Sequence, residues 1–305
     1  MKTRKVVQRL KVDPGLPFRR LSREVLRVLR LRPSSEPFIS GDTFRAFSDQ
    51  VFDETHWVEA KNVLPGDIIF CNGDLISEFF TSVVPKLTTP TVVVLGNSDR
   101  NYGSNDVLLF GSGMGHSFFV QNLITKIPNC EAIPIGLENR HWQNVGRPRD
   151  FAQKWSRQRH RKNRIFWTFL VRTNKPVRKA AELALRSNLL ADYIGEVSPR
   201  THRQALLNYR FVAAPPGNGW DTHRTWEALY LGCVPICLDS FFARSFVERG
   251  LPIWIVSSYS DLNGLTEEDL EAKYLEFLPR FDSPLLTFDY WSQRIRAVSG
   301  LLSEA

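Results

Sequence analysis

The sequence is poor in cysteine and has no long apolar run. Its four cysteines form no C-x-x-C pair and stand far apart or in apolar segments, which indicates reduced, buried thiols: Cys71, Cys130, Cys233 and Cys237. No apolar stretch approaches the roughly 18 residues that a membrane-spanning helix requires. No short hydrophobic segment follows the basic N-terminus, as a secretory signal would require. We therefore expect a cytoplasmic location.

Several catalytic and metal-binding motifs are also missing. The chain has no G-x-x-x-x-G-K-[ST], which excludes the P-loop class, and no G-x-S-x-G nucleophile elbow. It has no Asp-x-Asp, and its six histidines show no ligand spacing such as H-E-x-x-H. The sequence therefore predicts no metal site and no cofactor.

Positive charge is concentrated in two segments. The chain carries 40 Lys and Arg against 32 Asp and Glu, a net charge of +8. Residues 1–38 hold 11 basic against 3 acidic side chains, and residues 147–164 hold 8 basic side chains against Asp150 alone. The remainder is mildly acidic, so a basic nucleic-acid-binding domain is not indicated and no specific nucleic acid partner is expected.

Between Phe18 and Arg32, apolar residues alternate with arginines in the pattern of an amphipathic basic helix. Two interpretations remain open. The helix makes a peripheral contact with an anionic membrane, or it packs on the N-terminal domain with its arginines in solvent, which we prefer.

Short apolar runs alternate with amphipathic stretches along the rest of the chain, the pattern of βαβ units and parallel sheets. In the first half the pattern predicts strands at 37–40, 67–71, 91–95, 107–110 and 132–135, and helices at 43–53 and 74–84. In the second half it predicts strands at 165–171, 191–195, 211–214, 234–238 and 252–256, with helices at 176–187, 199–208, 221–231, 241–248, 267–278 and 290–302.

A chain of 305 residues exceeds what one hydrophobic core usually supports, which favours two domains. We predict an α/β fold with two Rossmann-like, doubly wound domains that face a cleft, where ligands bind at the carboxyl ends of the strands. The predicted parts are a basic arm (1–37), an N-terminal domain (38–146), a basic linker (147–164), a C-terminal domain (165–288) and a last helix that packs back towards the N-terminal domain (289–305).

One strand-loop-helix unit, residues 211–236, carries most of the chemical information. Its loop contains Gly217, Asn218 and Gly219, and its helix opens with Asp221, Thr222, His223 and Arg224. Glycines allow close backbone approach, and the free N–H groups of a helix start attract phosphate. The guanidinium of Arg224 can donate two hydrogen bonds to a diphosphate. The carboxylate of Glu227, about one helical turn later, can accept hydrogen bonds from both hydroxyls of a ribose. The same residues are equally compatible with a turn, an N-cap and a surface ion pair.

The pattern Arg-x-x-Glu-Ala-Leu-x-x-Gly-Cys-Val-Pro-Ile, from Arg224 to Ile236, resembles the donor-binding motif of the exostosin-like glycosyltransferases. More distantly it is similar to that of the α1,3-fucosyltransferases. Both groups have the GT-B architecture, in which the C-terminal domain holds the nucleotide sugar. The resemblance implies that Arg224 binds the donor diphosphate and Glu227 its ribose. It covers 13 residues plus the order of elements over 38–300, and it implies nothing about the acceptor residues.

Other polar residues follow predicted strands on the same edge. Asn174 and Arg178 are further donor-binding candidates. Sugar transfer with inversion needs a base for the acceptor hydroxyl, and our candidates are Asp99, Asp42 and, third, Glu138. Each of these is also a plausible N-cap or Asx-turn.

The sequence therefore predicts an inverting, metal-independent glycosyltransferase. It would transfer a sugar from a nucleoside diphosphate sugar, a UDP-sugar rather than a GDP-sugar, to a hydroxyl of a glycan or glycolipid. The alternatives are a nucleotide-sugar epimerase on the same scaffold and a non-catalytic protein that binds nucleotides or anionic polymers.

Overall fold

The computed structural model describes residues 21, 25, 29, 31–112, 115–143, 145–152 and 160–303. Most of the basic arm lies outside these residues, including most of the basic helix predicted between Phe18 and Arg32. The middle of the basic linker lies outside them too. The described chain contains two parallel five-stranded sheets with accompanying helices, which confirms the predicted α/β class and its pair of Rossmann-like sheets.

The first sheet has the strand order β1-β2-β3-β4-β5, with every pair parallel. Its strands are β1 Gln50–Phe52, β2 Ile68–Asn72, β3 Val92–Gly96, β4 Ser117–Val120 and β5 Cys130–Ala132. Among the described residues of this half, the α-helices are α1 Gly41–Phe47, α2 Ile76–Ser82, α3 Val107–Ser112 and α4 Arg140–Gln143.

The second sheet has the order β10-β9-β8-β6-β7, so the direction of winding reverses between β6 and β8. Its strands are β6 Lys162–Trp167, β7 Ala191–Tyr193, β8 Tyr209–Ala213, β9 Val234–Leu238 and β10 Trp254–Val256. The helices are α5 Lys175–Ser187, α6 Pro199–Asn208, α7 His223–Tyr230, α8 Phe241–Glu248, α9 Glu267–Phe277 and α10 Phe288–Ser303. Such a reversal opens a crevice at the carboxyl ends of the two strands.

The two faces of the first sheet belong to different hydrophobic clusters. Successive strand residues point to opposite faces, so Val92 and Val94 join the larger cluster while Val93 and Leu95 join the smaller one. The larger cluster also contains the apolar residues of the second sheet and its helices. One face of the first sheet therefore shares a core with the second half of the chain.

Four predicted elements of the first half are wrong in type or extent. Residues 37–40 form no strand, and only Ser40 makes isolated bridges. The helix predicted at 43–53 ends at Phe47, and the chain then forms β1. Residues 107–110 lie in helix α3, where Leu108 is 87% exposed. The strand predicted at 132–135 ends at Ala132, and β4 was not predicted. Short apolar runs do not distinguish strands from helices by periodicity alone.

Helix α10 contacts the first half of the chain. Ser299 donates a hydrogen bond to the carbonyl of Gly66, and Arg294 lies 3.0 Å from Glu131. Arg296 pairs with Asp49 at 3.2 Å. The domain boundaries stay a prediction. Across the described residues, no helix combines the length and apolarity needed to cross a bilayer.

Candidate functional site

Two adjoining cavities open where the carboxyl ends of the two sheets face each other. We name the one of about 440 Å³ the α7 cavity, because Arg224 and Glu227 of α7 line it. The other, about 580 Å³, is the loop cavity, since Gly217, Asn218 and Gly219 border it. Both cavities share Glu138, Thr222 and His223. The predicted cleft therefore exists, and most of the predicted residues border it.

The α7 cavity is lined by apolar and by polar residues. We call its walls the apolar residues that follow β6 and β7, namely Phe169, Leu170, Val197 and Pro199, and its floor the polar side chains of α7 and their partners. On its floor, Arg224 donates to the carbonyl of Thr168 at 2.6 Å, and Glu227 lies 3.4 Å from Nδ1 of His202. The floor thus presents one guanidinium and one carboxylate within a single turn of helix.

Burial and neighbouring charges set the electrostatics of this floor. Burial lowers the pKa of Arg224. Burial alone would raise the pKa of Glu227, but the hydrogen bond and charge of His202 outweigh it, so that pKa is lowered. Within the described part of the chain, the buried Nε of Arg224 has no hydrogen-bond partner. A buried donor without a partner is costly, and an anionic ligand would supply one.

Helix α7 begins two residues later than predicted. Thr222 is its N-cap residue, and His223 is its first residue. Asp221 precedes the helix and is fully buried, accepting from the backbone N–H of Ile135 at 2.7 Å and from Nε1 of Trp226 at 2.8 Å. Burial raises the pKa of Asp221 to about 7. Its carboxylate therefore joins α7 to the first half of the chain, although the residue borders the loop cavity.

The glycine-containing loop is held by two of the predicted donor-binding side chains. Arg178 donates from Nε to the carbonyl of Pro216 at 2.9 Å and from Nη1 to that of Leu170 at 3.1 Å. Asn174 donates to the carbonyl of Gly217 at 2.9 Å. Burial lowers the pKa of Arg178 to about 10. Both side chains therefore donate hydrogen bonds to the loop backbone, and Arg178 also borders the loop cavity.

The same loop meets three asparagine and aspartate side chains of the first half. Asn218 donates to Asp99 at 2.8 Å, and the backbone N–H of Trp220 donates to Asn101 at 3.1 Å. The N–H of Asp221 donates to Oδ1 of Asn122 at 2.9 Å. Sequence reasoning did not find Asn101, Asn122 or His202, because their partners lie on other elements far along the chain.

Glu138 occupies the junction of the two cavities. Its Oε1 lies 3.5 Å from Nε2 of His223 and accepts from the backbone N–H of Asn139 at 3.0 Å. Nδ1 of His223 lies 2.8 Å from the carbonyl of Gly136, which assigns the proton to Nδ1. Burial by itself lowers the pKa of His223. The negative charge of Glu138 and the hydrogen bond to the Gly136 carbonyl have the larger combined effect, so the pKa of His223 is raised.

The other two candidate bases have different surroundings. Asp42 is fully buried, 2.6 Å from Nδ1 of His141 and 3.1 Å from Nδ2 of Asn97, and it is not among the residues lining the two cavities. Nη1 of Arg32 lies 2.7 Å from Nε2, the other ring nitrogen of His141. Asp99 is exposed at the border of the loop cavity. Of the three, Glu138 alone touches both cavities.

For the described ranges, no group of three or more His, Cys, Asp or Glu side chains is arranged to hold a metal ion. The predicted absence of a metal and of a cofactor stays a prediction.

Comparison with known proteins finds remote structural neighbours. No protein-family model matches the chain, and no curated protein is significantly similar to it. One neighbour is AviGT4, a glycosyltransferase involved in avilamycin A biosynthesis, with a TM-score of 0.33 and 12% identity over 76% of this chain and 85% of its own. Another is the spinosyn rhamnosyltransferase SpnG complexed with thymidine diphosphate, with a TM-score of 0.33 and 11% identity over 78% and 68%.

SpnG complexed with spinosyn aglycone is similar at a TM-score of 0.30 and 11% identity, over 77% of this chain and 70% of its own. At such identities and TM-scores the likeness carries no inference about activity. Neither name is that of an exostosin-like enzyme or an α1,3-fucosyltransferase, so that resemblance stays a prediction. The function has to be inferred from the residues of the chain itself.

Proposed function

We propose that the protein is an inverting, metal-independent glycosyltransferase that uses a nucleoside diphosphate sugar. The observation that carries the proposal is the arrangement around α7. Arg224 and Glu227 line a cavity at the carboxyl ends of parallel strands, and Glu138 stands where that cavity meets a second one. A donor and an acceptor need two such adjoining spaces.

The α7 cavity suits the donor. Glu227, whose pKa is lowered, accepts hydrogen bonds from the ribose hydroxyls, and the apolar walls hold the base. Arg224 and the N–H groups at the start of α7 bind the diphosphate. A UDP-sugar is the proposed donor.

In the proposed reaction Glu138 removes the proton of the acceptor hydroxyl. The hydroxyl oxygen forms a bond to the anomeric carbon from the face opposite the diphosphate. The bond between that carbon and the phosphate oxygen breaks, and its electron pair leaves with the nucleoside diphosphate. Arg224 and the N–H groups at the start of α7 stabilise the charge that develops on the leaving group.

The acceptor is a hydroxyl of a glycan or glycolipid. For residues 1–37, most of which lie outside the described part of the chain, both interpretations stay open: contact with an anionic membrane, or packing on the N-terminal domain.

The donor site is tested by thermal unfolding with UDP, GDP, dTDP and CMP and their sugars. A ligand at about 100 times its Kd stabilises the folded state by about 2.7 kcal/mol, which raises the melting temperature. We expect Arg224→Ala and Glu227→Ala each to abolish this rise and sugar transfer.

Arg244→Ala and Glu248→Ala, on the neighbouring helix α8, are the matched controls and keep the response to the nucleotide. A wild-type protein that responds to none of the nucleotides would contradict the proposal. So would unchanged transfer in either α7 variant.

A further inference from the structure

Trp142 is an exposed aromatic side chain at the border of a polar cavity. It lies on the short helix α4, lines the loop cavity and is 59% exposed. A large indole in solvent offers apolar surface that a ligand can cover, and tryptophan combines such surface with a hydrogen-bond donor. Trp142 is not among the residues that line the α7 cavity.

Most of the other side chains that line the loop cavity carry polar groups. Its lining side chains are carboxylates, amides, hydroxyls and basic groups, with Ile135 and Trp142 as the large apolar exceptions. An apolar aglycone or acyl chain would remove these polar groups from water without replacing their hydrogen bonds, which is costly. A pyranose ring carries hydroxyls around its edge and C–H groups on its faces, so it matches both parts of this lining.

Two carboxylates at the border can bind hydroxyls. Asp74 accepts from Ser98 at 2.5 Å through Oδ1, and Asp99 accepts from Asn218 at 2.8 Å through Oδ2. An ionised carboxylate has about four acceptor positions, so each retains capacity for further donors. Both residues line the same cavity as Trp142 and Glu138.

The network around Asp42 holds α4 in place. His141, next to Trp142, is fixed between Asp42 at 2.6 Å and Arg32 at 2.7 Å. Asn139, which precedes α4, accepts from the N–H of Trp142 at 3.1 Å through its carbonyl and donates to Asn97 at 2.6 Å. The indole is therefore presented from an anchored backbone.

We propose that Trp142 is the stacking platform for the acceptor and that the acceptor is a carbohydrate whose pyranose ring covers the indole. The inference rests on the proposed function in one respect, namely that the loop cavity is the acceptor side. To that function it adds the residue that binds the acceptor and the sugar ring as the group that is bound, with Asp74 and Asp99 as partners of the sugar hydroxyls.

The binding test uses methyl pyranosides of glucose, galactose, mannose, N-acetylglucosamine and xylose, and a flavonoid aglycone as the competing class. Tryptophan fluorescence is titrated with each compound in the wild type, Trp142→Ala and Trp142→Phe. We expect a sugar-dependent change in the wild type that Trp142→Ala removes. In transfer assays Trp142→Ala should raise the acceptor KM on the order of tenfold, equivalent to about 1.4 kcal/mol. Trp142→Phe should retain most of the affinity of the wild type for the acceptor.

Trp57→Ala is the matched control, because Trp57 is 60% exposed and packs against Phe52 away from both cavities. Nucleotide-induced thermal shifts should be the same in all variants. Nucleotide binding without any Trp142-dependent response to sugars, or a response to the aglycone alone, would overturn this inference and leave the donor site standing. Sugar binding through Trp142 without nucleotide binding would contradict the proposed function instead.

Discussion

Asp42, Asp99 and Glu138 are chemically similar, but the structure places them in three different environments. Asp42 is fully buried and bonded to His141 and Asn97. Asp99 is exposed and bonded to Asn218. Glu138 borders both cavities. A base has to reach the acceptor hydroxyl, and only Glu138 stands at the junction where that hydroxyl would meet the donor.

Replacing the proposed base should separate catalysis from binding. We expect Glu138→Gln to lower kcat by about 10²- to 10⁴-fold, because general-base catalysis contributes about that factor. Nucleotide-induced thermal shifts should persist, since Glu227 and Arg224 are untouched. Asp99→Asn is the control and should alter the acceptor KM more than kcat. A Glu138→Gln variant with wild-type kcat would show that another group is the base.

At the scale of elements, the loop 215–221 connects the two halves. Arg178 and Asn174 hold it from its own half, and Asn122 and Asn101 hold it from the other. A Cβ at Gly219 would lie 2.6 Å from Oδ1 of Asn122, closer than real Cβ contacts allow. The absence of a side chain at Gly219 therefore allows the loop to lie close to Asn122 of the first half.

We expect Gly219→Ala to push Asn122 away, break its bond to the N–H of Asp221 and displace the start of α7. The nucleotide-induced thermal shift should shrink, and the melting temperature without ligand should fall. Gly300→Ala in α10 is the control, because nothing lies within 4 Å of its Cβ. Alanine in a helix is favoured over glycine by roughly 0.5–1 kcal/mol, so this variant should be at least as stable as the wild type. Equal behaviour of the two variants would refute the proposed contact.

At the scale of the molecule, the halves share a core and a buried carboxylate. The larger cluster contains Val94 of β3 together with Trp226 and Trp291 of the second half. Asp221 bonds Ile135 across the same boundary at 2.7 Å. The geometry of the cleft therefore depends on contacts made by both halves.

The pKa of Asp221 makes stability depend on pH. In the unfolded chain it is about 3.9, and in the folded chain burial raises it to about 7. Between these values the folded state holds a proton that the unfolded state lacks, so stability falls as pH rises from about 4 to about 7. Asp221→Asn cannot ionise, and its free energy of unfolding relative to the wild type should rise over that range and level off above it.

His223, whose pKa is also raised, contributes in the same direction, and it is present in both proteins. Thermal unfolding of the wild type and of Asp221→Asn from about pH 4 to about pH 7 measures the difference between their free energies of unfolding. A difference that stays constant with pH would show that Asp221 is ionised in the folded state throughout.

Much of the fold was predictable from local pattern. The elements from β6 onward match their predicted order, and the bounds of β9 and α8 agree with the prediction to the residue. Gly232, just after α7, adopts a φ of 73°, the left-handed conformation in which glycine commonly ends a helix. The errors of element type fall in the first half, where short runs such as Ser117–Val120 have no period long enough to identify them. In the second half the errors concern the ends of elements: β6 ends at Trp167 and α7 begins at His223.

The sequence by itself determined the alternation of strands and helices, the strand-loop-helix unit and the pair Arg224 and Glu227, because these depend on periodicity and on spacing within one helix. Only the tertiary structure decided that Arg178 and Asn174 hold a loop, that Asp221 joins the halves and that Glu138 lies at the junction. Those roles depend on which strand ends meet in space. Contacts between residues about 40 to 120 positions apart, such as Asn218 with Asp99, leave no signal in local pattern.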